Sequence, residues 1–267
     1  MIPHNEPFDV GRVVYLENRK IYGYAFKTVL DPKITLKVAE ITAKANAPMI
    51  FIQYSMPKIT EKMAKGLVYL DFTEATSTPE NLLKEFKKVV KVEHVQLLKP
   101  TKCGVLTDTY FFPLTLGDER IVIFRKSLYE GFIVGIKKQF GTAGEALLYY
   151  TGFDFGQRAY KYYKNLASTQ DPNEVGEIAT ALGATTGWTQ IEPVNVNMKT
   201  KTAQIRLHNN FECELGQGTK KPFSHFLRGL IAGFFAGLFK QGVLVKEKKC
   251  IAKGDPYCEF EIRSKNK

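Results

Sequence analysis

His225-Phe226-Leu227-Arg228-Gly229-Leu230-Ile231-Ala232-Gly233-Phe234-Phe235-Ala236-Gly237 is the stretch on which the reading of this chain turns. It runs on through Gly242-Val243-Leu244-Val245-Lys246-Glu247, then Lys248-Lys249-Cys250 and Gly254-Asp255-Pro256-Tyr257-Cys258-Glu259-Phe260. The spacing predicts a helix over about 223–240 and strands over 242–246 and 257–263. Gly229, Gly233 and Gly237 recur every four residues with Ala232 and Ala236 beside them. On a helix they share one face and let another backbone come close, so tight helix–helix packing is expected, a dimer contact included. Phe226, Leu230, Phe234 and Leu238 form a second, bulky stripe.

Glu247, Cys250 and Cys258 make an E-x2-C-x7-C pattern. Two thiolates and a carboxylate this close in sequence converge on one ion if the turn Lys253-Gly254-Asp255-Pro256 folds the second thiol back. Zinc accepts such a mixed sulfur and oxygen set and takes a fourth ligand in a closed structural site.

Working back from that stretch, 187–196 and 202–209 alternate in strand fashion, with Ala203, Ile205 and Leu207 facing inward. Helices are expected from about 127, over 141–150 and 157–166, and over 172–182. Segments 110–116 and 120–124 flank Gly117-Asp118, a hairpin signal. Helices packed on one antiparallel sheet make this half α+β.

The first hundred residues follow another rhythm. A strand over 21–30 precedes Asp31-Pro32, a helix start whose helix runs to about 45 and buries Ile34, Val38 and Ile41. Strands over 49–54 and 66–72 follow. Thr78-Pro79 then opens a helix with Leu82, Leu83, Phe86 and Val90 inward, and a strand covers 92–98. The order βαββαβ is ferredoxin-like and resembles the ACT domain, a family of small regulatory modules. Pro100 to Gly104 reads as the linker, giving domains 1–100 and 105–267.

Composition supports an ordinary globular protein, with 44% apolar and 24% charged residues. The longest apolar stretch, Leu230 to Phe239, falls far short of the roughly 20 residues that span a bilayer. No basic region followed by an apolar core opens the chain, so a cytoplasmic location is expected. In a reducing compartment, cysteines at 103, 213, 250 and 258 argue for metal ligation or buried thiols over disulfides. The net charge of +11 is scattered among acidic residues without a basic block, which argues against nucleic acid as the main partner.

With Gly144-Glu145-Ala146-Leu147-Leu148, Gly152 and Gly156 upstream, the C-terminal stretch resembles the 4-vinyl reductase domain family. That family shares its fold with subunits of the TRAPP vesicle-tethering complex and includes phenol-sensing domains of bacterial transcription activators. The resemblance implies an α+β fold, a homodimer and a buried apolar cavity walled by Phe226, Leu230, Phe234, Trp188, Tyr149 and Phe153. In the phenol-sensing relatives the Glu-Cys-Cys trio binds zinc, completed by a cysteine at the start of the preceding helix. That position falls at about Ser224 here, so Cys213 or His225 must supply the fourth ligand, with Cys213 preferred. No nucleophile–base pattern, P-loop, dinucleotide fingerprint or helix-turn-helix is visible, so catalysis gains no support. The expected protein is a cytosolic regulatory homodimer that senses an apolar or aromatic small molecule, carries structural zinc and signals to a protein partner. The rivals are an enzyme or accessory acting on a tetrapyrrole-like cofactor and a dimeric assembly scaffold.

Overall fold

The computed structural model describes residues 6–56, 62–89, 91–169 and 171–265. They form two compact units, Glu6–Ile123 and a second from Phe124 onward.

The first unit comprises β1 (Val13–Val14), β2 (Ile21–Thr28), α1 (Pro32–Lys44), β3 (Met49–Ser55), β4 (Ala64–Asp71), α2 (Pro79–Lys87), β5 (Val92–Leu98), β6 (Leu106–Thr107), β7 (Thr115–Leu116) and β8 (Glu119–Arg120). Its main sheet is antiparallel in the order β3-β4-β2-β5, the ferredoxin-like arrangement expected from βαββαβ. Each helix starts where the sequence placed it. The Asp31 carboxylate accepts the Lys33 amide and the Thr78 hydroxyl accepts the Asn81 amide, each followed by proline. On the helix face of the sheet, Tyr24, Phe26, Val68 and Leu70 pack with Val38, Leu82 and Phe86. Val90, expected on the same face, lies outside the described residues.

The other sheet face buries Ile21, Ala25, Leu67, Tyr69 and Leu98 with Leu106, and Phe111 packs against them. Coverage of this second face explains why the unit extends past residue 100. Pro100 to Gly104, read as a linker, lies inside a turn closed by the Thr101 amide on the Val105 carbonyl, 2.8 Å away. β6 then pairs with β1, and the chain divides only after Ile123. The strand expected over 110–116 shrinks to Thr115–Leu116 opposite Glu119–Arg120. Asp108 takes the Tyr110 and Phe111 amides at 2.8 and 3.1 Å, which leaves them unable to join a ladder.

The second unit holds α3 (Lys126–Ala167), α4 (Pro172–Thr185), β9 (Gln190–Asn197), β10 (Thr202–His208), α5 (Phe211–Glu214), α6 (His225–Phe239), β11 (Val243–Lys249) and β12 (Cys258–Ser264). Its sheet is antiparallel, β11-β12-β10-β9, and buries Ala203, Ile205 and Leu207 as the alternation required. The separate helices expected between 127 and 166 are one long helix bent at Gly141, whose φ of 54° and ψ of −131° lie outside helical space. Among the described residues no helix is long and apolar enough to cross a membrane.

α6 is the centre of this unit, and its glycine face meets α3 of the same chain. A Cβ on Gly229 would collide with the Tyr149 carbonyl oxygen and one on Gly233 with that of Phe153. Gly152 and Gly156 of α3 answer them, facing the carbonyls of Phe226 and Leu230. The two backbones therefore touch along two turns, and no side chain larger than hydrogen fits between them. Gly233→Ala should lower stability by about 1–3 kcal/mol in urea denaturation, since the core must shift to admit a methyl group. Gly131→Ala, where a Cβ meets nothing within 4 Å, should be neutral or stabilise by up to about 1 kcal/mol through helix propensity.

Candidate metal centre

Four ligand atoms, from Cys213, Glu247, Cys250 and Cys258, lie within 4.8 Å of one another. The three cysteines are fully buried, and Glu247 is half-buried. Each comes from a different piece of chain. Cys213 sits on α5, Glu247 near the end of β11, Cys250 just beyond it and Cys258 at the start of β12.

The turn between the last two cysteines is built locally. Residues Ile251–Lys253 make one 3-10 turn that ends at Gly254, whose φ of 95° suits glycine. Asp255 then reaches back, its carboxylate accepting the Cys250 amide at 2.8 Å. The chain reverses, and the Ile251 amide points at the Cys258 sulfur, 3.5 Å away.

Cys213 is delivered from outside that turn. Its Sγ is 3.4 Å from Cys250 Sγ, 3.9 Å from Glu247 Oε1 and 2.7 Å from the Ser224 hydroxyl. Asn210 caps α5 through its carbonyl oxygen, which accepts the Glu212 and Cys213 amides. Its amide nitrogen donates to the sulfurs of Cys213 and Cys258, both at 3.4 Å. Ser224, where the relatives' cysteine was expected, donates to Glu247 Oε1 at 3.1 Å. His225 is turned elsewhere, its Nε2 lying 3.5 Å from Glu145. Burial, then the neighbouring Lys137 charge, pushes its pKa down to about 4, so it is neutral at physiological pH.

The donors suit a soft divalent cation. Zn–S bonds of about 2.3 Å in a tetrahedron set sulfurs roughly 3.8 Å apart, close to the spacing observed. Four groups that ionise to anions also crowd together. Hydrogen bonds from Cys213 and Cys258 favour the Cys250 thiolate, while the bond to Cys250 pushes Cys213 upward. Burial and then the Cys250 charge push the Glu247 carboxyl up to about 8. A dication in their midst would relieve this repulsion.

Several residues here had no sequence signal. Glu212 is fully buried, yet its carboxylate accepts the amides of His225, Phe226 and Leu227 at 2.8–3.1 Å. Lys137 of α3 donates to Glu212 Oε1 at 3.1 Å and to the Phe223 carbonyl at 2.6 Å. Burial pushes Glu212 up and Lys137 down, but four donors aimed at two oxygens favour the carboxylate. His208, read as lacking a nearby carboxylate, is 3.0 Å from Glu192 on the adjoining strand. Pairing across the sheet brings them together from 16 residues apart.

Of the expected cavity residues, Trp188 and Phe226 meet with ring centroids 5.6 Å apart, joined by Phe211 at 5.2 Å from Trp188. Phe234 lies apart from them, against Tyr160 and Tyr163. Tyr149 and Phe153 carry the carbonyls that face the glycines of α6, and the Tyr149 ring stacks with Arg228 at 5.2 Å. Leu230 is half-buried, its backbone at the crossing with Gly156.

Residues 203–264 match the vinyl-4-reductase domain. The matched segment spans the last three strands, α5, α6, and all four residues of the cluster. An uncharacterized protein of Methanocaldococcus jannaschii is 25% identical over 193 residues, covering 72% of this chain and 90% of its own length. Another from the same organism is 25% identical over 131 residues, covering 49% of this chain and 71% of its own. Among solved structures, the phenol-responsive sensory domain of the transcription activator PoxR, solved with phenol, shares the fold. Its TM-score is 0.51 at 16% identity, covering 71% of this chain and 91% of that one.

Removing the buried charge at the start of α6 tests how the vinyl-4-reductase segment is held. Glu212→Gln should cost about 3 kcal/mol or more by urea denaturation, because Lys137 loses its buried partner. A loss below about 1 kcal/mol would mean the pair contributes no more than an exposed one.

Proposed function

We propose that the second unit is a small-molecule-sensing module whose vinyl-4-reductase segment is fastened by a structural zinc ion. Cys213, Glu247, Cys250 and Cys258 would hold the metal, and their convergence from separate segments carries the reading. When bound, zinc would supply no chemistry beyond a cross-link among α5, β11 and β12, adding to folding free energy. Asn210 and Ser224 would orient the donors through the hydrogen bonds already in place.

The sensed ligand would be apolar or aromatic. Two observations support this: the PoxR sensory domain, of like fold, was solved with phenol, and Trp188, Phe211 and Phe226 gather into one aromatic cluster. Ligand contact there would act on α6, and through Glu212 and Cys213 on the metal-bearing turn. The ferredoxin-like unit would serve as a regulatory domain, and a protein partner would receive the signal.

A homodimer fits the outer surface of α3. Leu128, Phe132, Phe140, Leu147 and Tyr150 are all exposed there, and apolar surface of this extent marks an association face. Leu128→Glu with Phe132→Glu should shift the protein from dimer to monomer in analytical ultracentrifugation. An unaltered sedimentation profile would remove α3 from the interface.

Elemental analysis of freshly purified protein should find about one zinc per chain, lost in Cys250→Ser and Cys258→Ser. Chelation should lower the melting temperature of the parent protein. Mass spectrometry of the same extract should detect a co-purified apolar molecule, or added phenol should raise the melting temperature. Metal-free preparations that melt identically with and without chelator would refute the zinc site. A protein indifferent to every aromatic tested would refute the sensor.

A further inference from the structure

Beside the metal centre, the surface opens into a cleft of about 370 Å³ whose wall includes Ser224 and Glu247 from the cluster. Lys221, Arg228 and Lys246 also line it, from the loop before α6, from α6 itself and from β11. None of these three cations has a carboxylate within 4 Å among the described residues. The two acids on the cleft are engaged elsewhere. Glu145 lies against His225 at 3.5 Å, and Glu247 accepts from Ser224 and faces the sulfurs.

From this we infer a second binding site, for a small organic anion bearing a phosphate or carboxylate group, in the cleft between Lys221, Arg228 and Lys246. Three unneutralised cations around a concave wall concentrate positive potential where an anion would sit. Arg228 is half-buried, and its guanidinium is steadied over the Tyr149 ring. A planar fork held in this way takes a carboxylate or phosphate edge-on at little entropic cost. The volume lies toward the small end of the roughly 300–1,000 Å³ typical of ligand sites, which favours a compact molecule over a polymer. Arg228 also leaves α6 one turn after the amides held by Glu212, so an occupant would touch the helix that carries the aromatic cluster. The site is therefore distinct from the apolar one and lies on the same helix.

Isothermal titration of the full chain with inorganic phosphate, and separately with benzoate, tests this. Saturable binding of one anion per chain to either probe is expected, and the probe that binds names the chemistry. Arg228→Gln should weaken it by about tenfold or more, the loss of a charge-assisted pair. Lys246→Gln, at an exposed position that leaves packing intact, should weaken it severalfold while zinc content stays unchanged. Absence of saturable binding with both probes overturns the proposal, and so does wild-type affinity in both variants. Zinc content reads the metal centre independently, so either reading can fail without the other.

Discussion

A carboxylate shut away from water beneath a helix start sets the geometry of the second unit. The first amides of any helix lack partners inside it, and α6 begins without a side-chain cap of its own. Glu212 meets three of those amides from a different segment, and Lys137 balances its charge from a third. An ion pair buried this deeply is stable only where hydrogen bonds fill its remaining valences. That requirement fixes α5 against α6 to within hydrogen-bond tolerance. Because Cys213 follows Glu212 directly, the same anchor sets where its sulfur can go.

The close approach of α3 and α6 works with that anchor. Glycines on both helices bring the backbones into contact, so α6 cannot slide or rotate without steric collision. The bend at Gly141 lets one continuous helix provide Lys137 on its first limb and the glycine crossing on its second. A straight helix through residue 141 would carry one of these contacts away from α6.

Around this rigid frame the polar chemistry gathers on one side. Three sulfurs and a carboxylate meet at the end of β11, and three unpaired cations ring the cleft beside them. The aromatic cluster of Trp188, Phe211 and Phe226 lies on α6 and the segments flanking it. Metal, anion and apolar ligand would then all act on one helix. This gives a physical route by which occupancy at one place could bias another.

Local pattern was enough to read the elements and the last turn. Alternation on β10, the proline-headed helices of the first unit and the Glu-Cys-Gly-Asp-Cys spacing all concern residues within a few positions of one another, where backbone geometry alone relates them. What lay beyond was decided by packing across long separations. Sequence left Cys213 and His225 both open beside the trio. The buried Glu212–Lys137 pair spans 75 residues and had no local signature, and His208 finds Glu192 only because the strands pair. The extent of the first unit was likewise hidden, because the second face of its sheet needs a cover that composition does not announce. Periodicity tells a chain which faces to bury; which partner buries each one depends on the whole fold closing at once.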